Sequence, residues 1–445
     1  MQEADVILSI LSQKPINFKF DRIYRHLFNM DFYKKVINNI SKENGFQSYI
    51  KKNNINFESL IENIIEELKV EKYYPKDLYS FINKNKGRSY FNKNFINEYK
   101  EDGLLNIYIK EDNLEDYILQ YLVKEIVESI FTKKLKEKEF FKVVSNPEQV
   151  IKCFCNIKHF NYNKVIKINF NKMFHVKQID VLNKFLKESI NDGRFIELIN
   201  RFIKSNYFRF YEVITQDEFY YLYIKDNNHL SSILWKVFFL EIRNILDELI
   251  SLHAVSVKVI TIENEILIMM NSYKDLDKFL DDFKFLMEDK LGINNLKEYD
   301  LNVTNTIEFC HYDIRFKQDK INTRILVPSK FINKASSYFK KDNVPFYKGE
   351  RINLSSQNII RLYNSEIETV YEYYKYAEDV NYKLRKFRYY HKGSMLSTIA
   401  RKENTSIKSI KEKYKKNLGY FSSLKLKDDK KIKYFTENIK RNTII

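Results

Sequence analysis

Hydrophobic periodicity changes once along this chain, and that change restricts the folds open to it. Up to about residue 320, β-branched runs such as VIKINF (165–170) and VKVITIENEILIMM (257–270) alternate with segments of helical spacing. The helical segments lie at 20–40, 57–68, 114–131, 178–187, 194–204, 234–250 and 275–291, and FCHYDIRF (309–316) reads as a further strand. Asn56 stands where an N-cap belongs for the helix at 57–68. A Lys/Asp/Asn-rich bridge near 340–353 follows, and from 357 to about 418 only helical spacing remains. This order describes an α+β chain whose last quarter is helical.

Composition sharpens the reading. The 445 residues include 8 Gly and 5 Pro, where average usage gives roughly 31 and 22. Collagen-like, Pro-rich and flexible-linker chains are excluded. Lys, Asn, Ile, Phe and Tyr fill the gap, a bias that goes with an AT-rich coding genome such as an organelle's. No apolar run reaches the ~18–20 residues of a membrane helix. Cys153, Cys155 and Cys310 cannot form a disulfide scaffold, and the first two are too close for a zinc finger. A reducing compartment, with no metal and no cofactor, is expected. The opening MQEADVILSILSQKPINF lacks the basic start of a leader peptide, so the expectation is either a cytosolic protein or one made inside the compartment where it works.

Charge is spread unevenly. Residues 351–445 carry 22 Lys+Arg against 10 Asp+Glu, a net of +12, and the 350 before them carry 54 against 49, a net of +5. Codon drift alone would spread lysine evenly. A basic block interleaved with Tyr and Phe suits a polyanion such as RNA or DNA, since Lys and Arg neutralise phosphates and aromatic rings stack on unpaired bases, the alternative being a merely solvated basic face. Other chemistry finds little support. The seven histidines (26, 159, 175, 229, 253, 311, 391) are scattered, and neither a Walker loop, HExxH nor GxSxG is present.

Several stretches together resemble the reverse transcriptase-like maturases encoded by group II introns. FDRIYRHLFNMDFYKKVINNI (20–40) is similar to the family's opening helix, and Tyr74-Pro75-Lys76 with KNKGR (84–88) to its fingers segment. NLEDYILQYLVKEIVESIF (113–131) and IDVLNKFLKESINDGRFIELINRFIKSNYF (179–208) resemble later helices, and FCHYDIRF the strand ending the palm. The most specific stretch is RLYNSEIETVYEYYKYAEDVNYKLRKFRYYHKGSMLSTIARKENTSIKSIKEKY (361–414), which looks like the maturase or X domain. Within the family, degenerate maturase-like proteins of euglenid plastids are the nearest likeness. The resemblance implies degenerate right-hand fingers and palm followed by an all-α thumb or X domain. Its divisions would be 1–110 (N-terminal and fingers-like), 111–340 (palm-like) and 341–445 (thumb or X).

At the family's catalytic positions this chain departs. Two-metal nucleotidyl transfer needs several carboxylates. The early palm acid corresponds to Asn169, and the adjacent acid pair to Asn264 and Glu265, with Glu263 one residue off register. The stretch 226–229, DNNH, lacks the glycine of a template-gripping turn, and no Cys/His cluster of an endonuclease domain follows 361–414. The expectation is therefore no enzyme of its own, with the intron RNA supplying catalysis. Asn169 and Asn264 should lie ~5–10 Å apart.

From 360 to 374, Ile360, Tyr363, Ile367, Val370 and Tyr374 recur at helical spacing and should face the core. The expected RNA-contact surface is then Lys375, Lys383, Arg385, Lys386, Arg388, Lys392, Arg401 and Lys402, with Tyr389 and Tyr390 (and Tyr382) as rings that stack on bases or pack inward. Ser394, Thr398 and Asn404 would add neutral donors. The implied function is an RNA-binding splicing cofactor for group II or group III-type introns. Its partners would be intron RNA or precursor mRNA and other splicing proteins, with no membrane partner, in the plastid or alternatively the mitochondrion. An active reverse transcriptase using Glu263 and Glu265, and a basic RNA-binding scaffold, are the competing readings.

Overall fold

The computed structural model describes residues 2–40, 56–75, 114–136, 140–144, 147–155, 162, 164–170, 176–205, 229–253, 255–262, 265–271, 276–294, 296–301, 303–316, 323–415, 424–425 and 431–432. In chain order, α1 (Ala4–Gln13), α2 (Met30–Ile40), α3 (Phe57–Lys69) and α4 (Leu114–Phe131) come first. Strand β1 (Phe141–Val144), α5 (Pro147–Cys155), β2 (Lys164–Asn169), α6 (Val176–Ser189), α7 (Gly193–Lys204) and α8 (His229–His253) follow. Next are β3 (Ser256–Ile262), β4 (Glu265–Asn271), α9 (Leu276–Leu291) and β5 (Lys297–Asp300). A three-stranded antiparallel sheet is made of β6 (Thr306–Phe309), β7 (Tyr312–Phe316) and β8 (Thr323–Leu326). The last part holds α10 (Ser329–Tyr338), β9 (Lys340–Lys341), β10 (Val344–Pro345), α11 (Ser356–Tyr374), α12 (Val380–Lys402), α13 (Ile407–Lys415), β11 (Leu424–Lys425) and β12 (Lys431–Ile432).

The organising layer is a five-stranded sheet in the order β1-β3-β4-β2-β5, antiparallel except where β1 runs parallel to β3. Side chains alternate between the faces of a strand, and here both faces are apolar. Ile166, Ile168, Val259, Ile266, Ile268 and Met270 join one core, with α1–α4 and α6–α9. Val165, Ile260, Ile262, Leu267 and Met269 join a second core, with β6–β8 and α10–α12. This explains why β4 reads as an unbroken apolar run: a strand covered on both sides has no polar face. The second core draws on residues from both sides of position 341, because α10 packs on α12.

Three expectations need correction. The helix expected over 20–40 is broken: Ile23–Phe28 is a 3-10 turn, and α2 begins only at Met30. Asn29 makes the break, its amide donating to the Gln2 carbonyl (2.9 Å) and its carbonyl oxygen accepting from the Asp31 backbone (3.1 Å). The strand expected over 309–316 is a hairpin, turning at Cys310 and His311, both at positive φ (49° and 56°). Two consecutive residues of that conformation make the tight turn that suits strand twist. The third concerns the last quarter, which is not all-α. The bridge after α10 is the β9–β10 hairpin, turning at Asp342-Asn343 (φ 50° and 59°), and β11 pairs with β12. Helical spacing from 357 to 418 divides into three helices, with Asn404 (φ 50°) closing α12 as a left-handed cap.

Candidate functional site

Two places could carry function: the end of the sheet where Asn169 and Glu265 lie, and the surface of α12.

At the sheet end, β-pairing sets Asn169 directly opposite Glu265. Lys167 lies two residues earlier on the same face as Asn169, as the strand period requires. The Asn169 amide donates to Glu265 Oε1 at 3.0 Å, and Lys167 Nζ lies 3.1 Å from the same oxygen. Glu265 Oε2 accepts from the Cys310 backbone N–H at 2.9 Å, and Lys167 also donates to the Glu308 carbonyl at 2.6 Å. From the other side, the Tyr373 hydroxyl donates to the Cys310 carbonyl and the Tyr374 hydroxyl to that of His311, each at 3.1 Å. The carboxylate thus ties the five-stranded sheet to the β6–β7 turn, which α11 holds in turn. A lysine ammonium already balances its charge. Asn264 and Glu263, and the stretches 84–88 and 226–228, lie outside the described residues. Among the described residues, no three His, Cys, Asp or Glu side chains converge to hold a metal ion.

Helix α12 is different in kind. Its 23 residues hold seven cations (Lys383, Arg385, Lys386, Arg388, Lys392, Arg401, Lys402) and no carboxylate. Val380, Leu384, Phe387, Met395 and Ile399 pin one side into the second core. The residues expected as one contact face do not share one. Sixteen positions from Arg385 to Arg401 turn the helix by about 160°, so the two point nearly opposite ways. Arg401 is exposed beside the Tyr347 ring (5.7 Å), and Lys402 reaches back to the Ile352 carbonyl (3.3 Å). Lys392 is half-buried; burial first, and then the charges of Arg388 and Lys411, lower its pKa. Tyr390 is half-buried under the Lys340 ammonium (4.9 Å). Lys375 lies between α11 and α12, ion-paired to Glu372 at 2.6 Å. Lys383 bonds Ser329 Oγ and lies 4.0 Å from Asp379. What the helix does bring together, two turns apart on one stripe, is Tyr382, Arg385, Lys386 and Tyr389, all exposed.

Ser394 and Thr398 are corrected outright. Both are 0% exposed and so present nothing to a ligand. Tyr363 Oη shares hydrogen bonds with Ser394 Oγ (2.9 Å) and Thr398 Oγ1 (3.3 Å). Ser394 also donates to the Phe346 carbonyl (2.6 Å), and Thr398 accepts from the Lys348 N–H (2.9 Å). The two hydroxyls fasten α12 to α11 and to the chain after β10.

Beside them is a buried charged group that sequence reasoning missed. Arg351, 3% exposed, makes a two-pronged pair with Glu366, whose Oε2 also bonds His391 Nε2 at 2.9 Å. Burial lowers the His391 pKa. Burial alone would raise the Glu366 carboxyl, but the Arg351 guanidinium and the His391 hydrogen bond hold it below its ordinary value. The available signal was Glu366 itself, a carboxylate three residues after Tyr363 and four before Val370 on the face expected to be core. The chain matches no protein-family model, and no curated protein matches it.

Proposed function

We propose that the protein is a maturase-like RNA-binding splicing cofactor that binds group II or group III-type intron RNA in a plastid and performs no polymerisation. The observation carrying this reading is α12: seven cations, no carboxylate and exposed tyrosines on one helix. Such a surface attracts phosphates through counterion release and offers rings to bases. In this reading the five-stranded sheet is the remnant of a right-hand palm, and α10–α13 belong to the thumb or X region. Loss of polymerisation is supported by Asn169 and by Glu265, whose carboxylate is engaged by Lys167, Asn169 and Cys310. No helix among the described residues is long and apolar enough to cross a membrane.

The chemistry of splicing then belongs to the RNA. The protein binds the active intron fold more tightly than inactive ones and so shifts the population toward it. A tenfold shift needs a difference of only about 1.4 kcal/mol, within reach of one or two good hydrogen bonds. Crosslinking followed by sequencing of the bound RNA from the native compartment tests the reading. Enrichment of intron segments is expected, whereas recovery of RNA without intron preference would overturn it. In primer extension with Mg²⁺ or Mn²⁺ no nucleotide should be incorporated, even with Asp restored at 169, 264 and 265.

A further inference from the structure

Two exposed tyrosines on α12 stand out from the core-facing aromatics around them. Tyr382 is 77% exposed and Tyr389 66%. Seven residues apart, they are ~10 Å apart along the axis and rotated by only about 20° from each other. Arg385 and Lys386 lie between them, three or four residues from each ring, and both are exposed. Among the described residues Arg385 makes no ion pair, and Lys386 bonds only a neutral acceptor, Asn333 Oδ1, at 2.9 Å. Tyr389 makes a T-shaped contact with Tyr390, with ring centroids 5.1 Å apart and planes at 79°. Exposing two large rings without a covering partner leaves apolar area in water that burial would otherwise recover.

We propose that this stripe is a stacking site for a short unpaired stretch of RNA, with bases on Tyr382 and Tyr389 and the intervening phosphates on Arg385 and Lys386. The proposal rests on the RNA-binding reading and narrows it to a class of target. Bases inside a duplex are stacked on one another and closed to side chains, while an unpaired strand can splay its bases onto protein rings. A spacing of ~10 Å exceeds the ~3.4 Å of stacked neighbours, so the two seated bases are splayed apart and not stacked on each other. Every base has a face to stack, so the site would accept many sequences.

The test uses the full chain and two probes, a twelve-nucleotide oligouridine and a fully paired RNA duplex of twelve base pairs, titrated across a salt series. The variant Tyr382→Leu/Tyr389→Leu keeps apolar bulk but removes the rings, and Tyr382→Phe/Tyr389→Phe keeps the rings. Circular dichroism confirms that each folds. The expected result is a loss of oligouridine affinity of at least about fivefold per ring for the Leu variant. Its salt slope and duplex affinity should not change, and the Phe variant should bind as the unmodified protein does. A 5-iodouridine oligonucleotide should crosslink to Tyr382 or Tyr389. If the Leu variant keeps full oligouridine affinity while Arg385→Gln/Lys386→Gln weakens both probes, the stripe is an electrostatic surface only. The stacking proposal then fails and RNA binding stands. If neither probe binds the unmodified protein, the RNA reading fails as well, and the stripe is left for a protein partner.

Discussion

The sheet end and α12 dispose of their polar groups in opposite ways. Around Glu265, an amide, an ammonium and a backbone N–H converge on one carboxylate, and the side chains of Lys167 and Glu265 are only 12% and 16% exposed. On α12, Arg385 and Tyr382 are exposed, and their side chains make no hydrogen bond, ion pair or ring contact among the described residues. Satisfied, enclosed polar groups hold a fold together, and leaving one of them unpaired is what costs stability. Exposed, unpartnered cations and rings add little to stability and remain available to a ligand. The same contrast separates Arg351, Glu366 and His391, which are buried and bonded to one another, from the exposed stripe on α12. It follows that substitutions should divide into two classes, one lowering stability and the other lowering binding.

The largest stability effect is expected at Glu366. Glu366→Ala leaves the Arg351 guanidinium buried without its carboxylate and should cost about 3–5 kcal/mol, read as a lower denaturant midpoint. Replacing the pair together, Arg351→Met with Glu366→Leu, should recover most of that loss, because an apolar pair has no desolvation cost. A double variant as unstable as the single one would show that the pair does more than fill its site. Glu265→Ala should cost less, about 2 kcal/mol, since the site is partly open to water. RNA binding at equal folded concentration should survive it.

Acid should act on the sealed group before the exposed one. Burial lowers the His391 pKa below its ordinary 6.5, so the unfolded chain takes the proton more readily than the folded one. The His391 contribution is therefore whole above about pH 6.5 and is lost progressively as pH falls from there through the lower folded-state value. Glu366, held below its ordinary 4.5, acts in the same direction at lower pH. The thermal midpoint should thus decline below about pH 6.5, and His391→Gln should flatten the upper part of that decline. A midpoint as steep in His391→Gln as in the unmodified chain would assign the decline to other groups. The smallest stability effect belongs to α12: Arg385→Gln/Lys386→Gln should stay within about 0.5 kcal/mol of the unmodified protein.

Much of this contrast was readable from residues alone, and the unreadable part has identifiable causes. The core series Ile360, Tyr363, Ile367, Val370 and Tyr374 is buried as its spacing predicts, and Asn56 caps α3 by accepting from Glu58 and Ser59. Those are local signals, carried by spacing of three or four residues or by a single capping side chain. The β6–β7 turn was not readable, because Cys-His lacks the glycine or asparagine that marks such turns. Tyr373, Tyr374 and Glu265, all distant in sequence, hold it in place. Ser394 and Thr398 misled for a related reason: a small hydroxyl on a basic helix looks exposed until its partner, Tyr363 on the neighbouring helix, is known. Helical spacing also could not divide the α12 cations. Which of them meet water depends on α10, α11 and α13 packing around the helix.

Salt-dependent binding of intron RNA tests most directly whether the open face of α12 is the functional one. The comparison is between the unmodified protein and a variant with Arg385 and Lys386 both changed to Gln, with the denaturant midpoint measured alongside. Function on α12 predicts weaker binding and a logarithmic salt slope shallower by roughly 0.7–0.9 for each phosphate no longer neutralised, at an unchanged midpoint. Equal affinity and equal slope in a folded variant would contradict it and return the search to another surface.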